Sequence, residues 1–220
     1  MERTIDMSRN KYPEVTVNRI LDSATKLFLQ KGYEKTTIQD IVNDLGDLSK
    51  GAIYHHFSSK EDIIQAVGER MYANVDFAAM FKGREDQLNG LEKLKEICLA
   101  CMTSVQQHQL MEAVPDYYHN PKFLAQEVFE SVKHSPQMLL PYIEEGVEDG
   151  SITVSQPKEA AEVFLLLINI WINPLVFHET RAAFTEKVRF LKTLLDQIGL
   201  PVMDEKVMAA ALSYGECLDD

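Results

Sequence analysis

Between residues 49 and 60 the chain gathers hydroxyl, ammonium, phenol and imidazole groups without a single carboxylate: Ser49, Lys50, Tyr54, His55, His56 and Lys60, with Gly51 and Ala52 among them. Donor groups of this kind suit phosphate oxygens and base edges. Lys50 can reach a phosphate or a guanine edge, and Ala52 is small enough to touch a thymine methyl or serve simply as a helix former. Gly51 has no structural reason to sit in a helix, where glycine costs about 1 kcal/mol against alanine; removing the side chain lets the backbone approach a ligand surface closely. Tyr54 offers an amphipathic reach to a phosphate, or else a packing ring. His55 and His56 can donate to phosphates or pack beside Phe57. Adjacent histidines on a helix project about 100° apart and make a poor metal site.

To share one surface, those groups need a short helix whose inner face is anchored. Residues 36–60 supply it: two short helices, a turn, and a loop that opens a longer helix. Thr36 and Thr37 precede Gln39 and Asp40 by three positions, so either threonine can build a capping box. Ile38, Ile41, Val42 and Leu45 form the inner face of that helix, and Gly46 ends it. Leu48 points inward, Ser49 caps a helix over Lys50–His56, and Phe57 plugs its end. Ser58 or Ser59 caps the next helix, with Glu61 and Asp62 in its positive first turn and Ile63, Ile64, Val67 and Met71 inward. Thr37 and Lys60 therefore stand at helix N-termini, where hydroxyl, ammonium and free N–H groups can meet a phosphate. Upstream, Val17, Ile20, Leu21, Ala24, Leu27 and Phe28 share one helical face that Gly32 stops, with Tyr33 following as a packing residue. Residues 1–15 are polar and are expected to form an arm.

Charge is unevenly placed. The 220 residues carry a net charge of −12, which argues naively against a nucleic-acid partner. Residues 1–60, however, hold 9 Lys+Arg against 8 Asp+Glu, leaving 13 against 26 for residues 61–220. An acidic body repels DNA everywhere except through its head. With 45% hydrophobic and 25% charged residues, the composition is that of an ordinary globular protein. The longest apolar run, residues 163–177, is interrupted by Asn169, Asn173 and Pro174 and is too short to span a bilayer, so no membrane association is expected. The N-terminus has no secretory pattern, and three cysteines cannot form a disulfide framework, so a cytoplasmic setting is expected.

The remaining chain stays helical. Residues 82–85 read as a loop, followed by a stripe of Leu91, Leu94, Ile97, Cys98, Cys101, Met102 and Val105. Pro115 and Pro121 bracket an aromatic segment. Residues 123–147 read as mostly helix, with Pro136 and Pro141 forcing a break or kink. Pro157 opens a helix expected to reach about residue 178, with Pro174 bending it; Thr185 can cap the next, and Asp204 the last. The fold class is all-α, with about nine to ten helices. Cys98 and Cys101 form a CxxC inside a helical stripe and read as core; a redox or metal switch is the minor alternative. No enzymatic signature string occurs, no cofactor or metal is expected, and the chain is not expected to be an enzyme.

Helix, turn, short helix, then SKGAIYHHFSSK resembles the N-terminal DNA-binding domain of the TetR family of bacterial transcription regulators. The resemblance runs from Arg19 to about Val67 and rests on Ala24, Leu27, Phe28, Gly32, Tyr33, Thr37, Ile41, Gly46, Ser49, Gly51, Tyr54, Phe57 and Lys60. One departure stands out: the turn Gly46-Asp47-Leu48-Ser49 is a residue longer than the family's commonest. The resemblance implies a three-helix helix-turn-helix domain over residues 1–60 and a larger helical domain over 61–220 for ligand binding and dimerisation. It implies a homodimer through the C-terminal helices on a palindromic operator in double-stranded DNA, released by an unidentified small-molecule effector. Candidate pocket residues are Met71, Met102, Tyr117, Tyr118, Phe123, Asn169, Trp171 and Asn173, with core packing the alternative for the methionines and aromatics; the acids Glu127, Glu130, Glu144 and Glu145 form a solvated face or, as a weaker hint, suit a cationic effector. An architectural or division-control DNA-binding protein, whose body takes protein partners, is the alternative.

Overall fold

A computed structural model describes residues 13–73, 76–105, 109, 113, 120–177 and 179–217, the side chains of 71–73, 216 and 217 excepted. Those residues form helices and connecting turns, with no strand among them. Met1–Val75 together with Gln109–Val114 make one compact unit, and Asp76–His108 with Pro115–Asp220 a second.

In the first unit, α1 (Pro13–Lys31) turns Thr16, Ile20, Leu21, Ser23, Ala24 and Phe28 inward. Its start corrects the expectation of an arm over residues 1–15: Pro13–Val15 already belong to the helix, because proline's fixed φ is ready-made for a first helical turn. Residues 1–12 lie outside the described residues. Beyond Gly32, α2 (Ile38–Leu45) opens on a complete capping box between Thr37 and Asp40, while Thr36 is buried and donates its hydroxyl to the Gly32 carbonyl at 2.8 Å. Gly46 takes φ +76°, a backbone that side-chain-bearing residues rarely adopt, and bonds back to the Val42 carbonyl. Next, α3 (Lys50–His56) is capped by Ser49, and α4 (Lys60–Ala73) starts after Ser59, whose hydroxyl accepts the Asp62 N–H at 3.1 Å. Ile20, Phe28, Ile41, Ile53 and Ile63 are fully buried, and each such side chain contributes about 1.5–3 kcal/mol.

The second unit comprises α5 (Phe77–Met80), α6 (Gly90–Met102), α7 (Pro121–Lys133), α8 (Pro136–Asp149), α9 (Pro157–Leu166) with a π-helical turn over Leu167–Trp171, α10 (Arg181–Gln197) and α11 (Glu205–Ser213). Its core holds Leu94, Ile97, Ile143, Phe164, Val188 and Leu191. The α6–α8 crossing is so close that a Cβ on Gly90 would lie 2.1 Å from the Gly146 nitrogen.

The break expected at Pro136 falls at His134–Ser135, directly before it, while Pro141 sits inside α8; near a helix start a proline removes only one internal bond. Two expectations are corrected here. The helix from Pro157 ends with the π turn instead of running to residue 178, because the Asn173 side chain accepts the Leu175 N–H at 2.9 Å and turns the chain. Finally, Thr180 and not Thr185 caps α10: the Thr180 hydroxyl accepts from Ala183, and Thr185 bonds back to the Arg181 carbonyl within the helix. Asp204 caps α11 as expected.

Candidate nucleic-acid interface

The third helix presents one face inward and one to solvent. Ile53 is fully buried and Phe57 nearly so, anchoring α3 on its inner side. On the other side Lys50, Gly51, Tyr54 and His55 are exposed, and Ala52 and His56 half-buried. A Cβ on Gly51 would meet only the Ser49 hydroxyl, at 3.8 Å. No packing inside the protein therefore requires glycine there. The Lys50 ammonium lies 5.8 Å from the Tyr54 ring centroid, and the His55 and His56 rings meet edge-on at 5.2 Å.

Four of the described cations of this unit are already matched. Arg19 pairs with Asp47, Lys26 with Asp44, Lys31 with Asp40 and Arg70 with Asp22. Hydrogen bonds from Lys31 and then Thr37 hold the Asp40 carboxyl down at about 2. These pairs lace α1 to α2 and α4 but leave those cations partly neutralised toward an outside anion. Lys60 differs: its ammonium donates to the Tyr33 carbonyl at 2.7 Å and lies 4.0 Å from the Tyr33 ring centroid. Lys35 and Lys50 are exposed and have no acidic partner among the described residues. Lys35 escaped the sequence reading. Its signal was position, immediately before the Thr36-Thr37 start of α2, where an added cation reinforces the anion-attracting helix end. The Thr37 hydroxyl is within 2.7 Å of the Asp40 carboxylate as part of its cap.

The described pocket candidates of the second unit are Met102, Phe123, Asn169, Trp171 and Asn173. Met102 is buried in the core, and its carbonyl accepts the Tyr214 hydroxyl at 3.1 Å. Trp171 stands edge-on to Phe190 at 5.9 Å, with the Lys187 ammonium 5.3 Å from its ring. Asn169 donates to the buried Ser131 hydroxyl at 3.1 Å, and Asn173 donates to the Asn169 carbonyl at 2.9 Å. Phe123 and Ser131 are both buried on the same face of α7, with half-buried Glu127 midway between them at helical spacing. Burial, then the nearby Glu130, pushes the Glu127 carboxyl up to about 7. Glu130 is held by Gln126 and His134, and Glu145 by Lys93. Tyr117 and Tyr118, and the Met71 side chain, lie outside the described residues. Burial raises both the Cys98 and Cys101 thiols, which favours their protonated form.

The family model for bacterial regulatory proteins of the tetR family matches residues 20–67. The HTH-type transcriptional repressor KstR2 of Rhodococcus jostii (strain RHA1) is 32% identical over 152 residues, covering 66% of this chain and 72% of that repressor. The chain belongs to the TetR family. It is a DNA-binding transcriptional regulator built on a helix-turn-helix. The KstR2 of Mycolicibacterium smegmatis is 30% identical over 142 residues, 61% of this chain and 66% of its own length. The uncharacterized HTH-type transcriptional regulator YhgD of Bacillus subtilis (strain 168) is 29% identical over 152 residues, 67% of this chain and 78% of its own. Among solved structures, RolR in complex with resorcinol aligns with a TM-score of 0.57 at 15% identity, over 96% of this chain and 98% of that one. A transcriptional regulator from Cytophaga hutchinsonii ATCC 33406 aligns at 0.55 with 22% identity, over 91% and 92%. At those identities the likeness is one of fold.

Proposed function

We propose that this TetR-family regulator is a repressor that binds a palindromic operator as a homodimer and leaves it when a small-molecule effector binds. The observation that carries the reading is the outer face of α3. Lys50, Gly51, Tyr54 and His55 are uncovered and rich in donors, on a helix pinned from behind by Ile53 and Phe57. In this reading Lys50, Gly51 and Ala52 face the bases, with His55 beside them, while Thr37, Ser49, Tyr54, His56, Lys60 and the newly recognised Lys35 hold phosphates. Residues 1–60 read DNA in the cytoplasm, and residues 61–220 dimerise and bind the effector.

Dimerisation has suitable surface. Val163, Phe177, Phe190 and Ile198 are large apolar residues exposed on or beside α9 and α10, more than a lone chain leaves in water without reason. A second copy across this face brings two α3 helices to half-sites about 34–36 Å apart or a multiple of that. The effector lodges in the second unit, with Phe123 and Glu127 the strongest lining candidates and Met102, Tyr117, Tyr118, Asn169, Trp171 and Asn173 the wider set. An effector that binds the non-DNA conformer better shifts the population away from the operator. A metabolite library scored by loss of fluorescence anisotropy from labelled, protein-bound operator tests the release step. At least one saturable releasing compound is expected; an operator complex indifferent to the whole library would favour a constitutive DNA binder.

A further inference from the structure

Among the described cations of its unit, Lys35, Lys50 and Lys60 face no aspartate, and of these three Lys60 is the one seated on backbone carbonyls. Arg19, Lys26, Lys31 and Arg70 each face an aspartate. The Lys60 ammonium instead is held by neutral groups: the Tyr33 carbonyl at 2.7 Å, the Glu34 carbonyl at 3.5 Å, and the face of the Tyr33 ring at 4.0 Å. An ammonium has three donors and no acceptor. Two carbonyls and an aromatic face orient it beside Glu61, with which it makes no ion pair within 4 Å, and giving up the long 3.5 Å bond to the Glu34 carbonyl frees an N–H for another acceptor.

Tyr33 cannot be the partner that adapts. Its N–H donates to the Ala113 carbonyl at 2.9 Å, its ring packs on Phe28 at 5.3 Å between centroids, and the residue is only 7% exposed. A side chain and peptide fixed on three sides provide a rigid seat, so the flexible lysine takes its place from the tyrosine. We infer that Tyr33 is the positioning residue for a phosphate contact made by Lys60, and that the Ala113 carbonyl, from a distant stretch of chain, holds the Tyr33 N–H and so steadies the residue whose carbonyl and ring seat the lysine. The assignment rests on the DNA-binding reading above. A lysine ordered before DNA arrives loses less freedom on binding, which is the gain a seat of this kind gives.

The test uses the full-length protein and a random-sequence duplex, with affinity measured over a salt series. Lys60→Ala is expected to flatten the log–log salt dependence by about one unit. Tyr33→Leu risks the fold, so the ring is altered without changing its size. From a Tyr33→Phe baseline, phenylalanines carrying increasing numbers of ring fluorines progressively weaken the negative face that holds the ammonium. Affinity is expected to fall stepwise along that series in the Lys60 protein and to stay flat in the Lys60→Ala background. A flat series in both backgrounds overturns the inference, as does an unchanged slope in Lys60→Ala; either leaves DNA binding itself standing. Failure of the unmodified protein to bind any duplex overturns both.

Discussion

The Arg19 guanidinium grips both carboxylate oxygens of Asp47, at 3.0 and 2.5 Å, across 28 residues of sequence. Asp47 lies in the turn between α2 and α3, and the clasp ties that turn to α1. Nearby, Asp44 accepts from Ser23 at 2.8 Å and from Lys26 at 2.5 Å. The end of α2 and the turn after it are thus tied by ionic contacts to α1.

Asp47→Asn should therefore weaken operator binding several-fold while changing the melting temperature little, because exposed ion pairs hold geometry more than they hold the fold. Binding isotherms beside thermal melts check this. A large melting shift with unaltered binding would make the clasp a stabiliser only.

Gly51→Val should reduce operator affinity to the nonspecific level, roughly a thousandfold or more, with helicity and oligomeric state intact. The space a Cβ would occupy is open within the protein, so only an external partner resists it. Circular dichroism, sedimentation and operator titration together decide; full affinity in the variant would remove the close-approach role of Gly51.

Much of this region was legible because its signals are local. Ser49, Gly46 and the Ile53–Phe57 spacing place α3 over Lys50–His56 from sequence alone, as observed. Caps were less certain where two candidates compete. Thr180 and Thr185 are both eligible, and the deciding feature was that the buried stripe of α10 already begins at Phe184. Contacts between distant positions stayed invisible. Asn169 finds Ser131 across 38 residues, and Arg19 finds Asp47 across 28. Periodicity assigns a residue to a face but does not name its partner on another helix.

Phe190→Asp and Trp171→Asp should each convert dimer to monomer, since burying an uncompensated carboxylate in an apolar interface costs several kcal/mol, of order 3–5. Phe190 is the cleaner variant, being 58% exposed in the single chain. Sedimentation velocity reads the outcome, and an unaltered profile for both excludes this face from the interface.

The Glu127 carboxyl carries a pH signature. Its folded value of about 7 lies above the ordinary 4.5, so the fold favours the protonated acid. Its stabilising effect is complete below about 4.5 and fades as pH rises through about 7. Glu127→Gln keeps a neutral side chain at every pH, so its stability advantage over the native protein should grow between pH 5 and pH 8. Denaturant midpoints at the two pH values measure it; an advantage that does not change with pH would contradict an unpaired, desolvated Glu127.

Selection of bound duplexes from a random-sequence pool by the intact protein tests DNA reading by a two-fold dimer most directly. Enrichment of an inverted repeat, lost in Gly51→Val, is the expected result; recovery of sequences no different from the starting pool would contradict it.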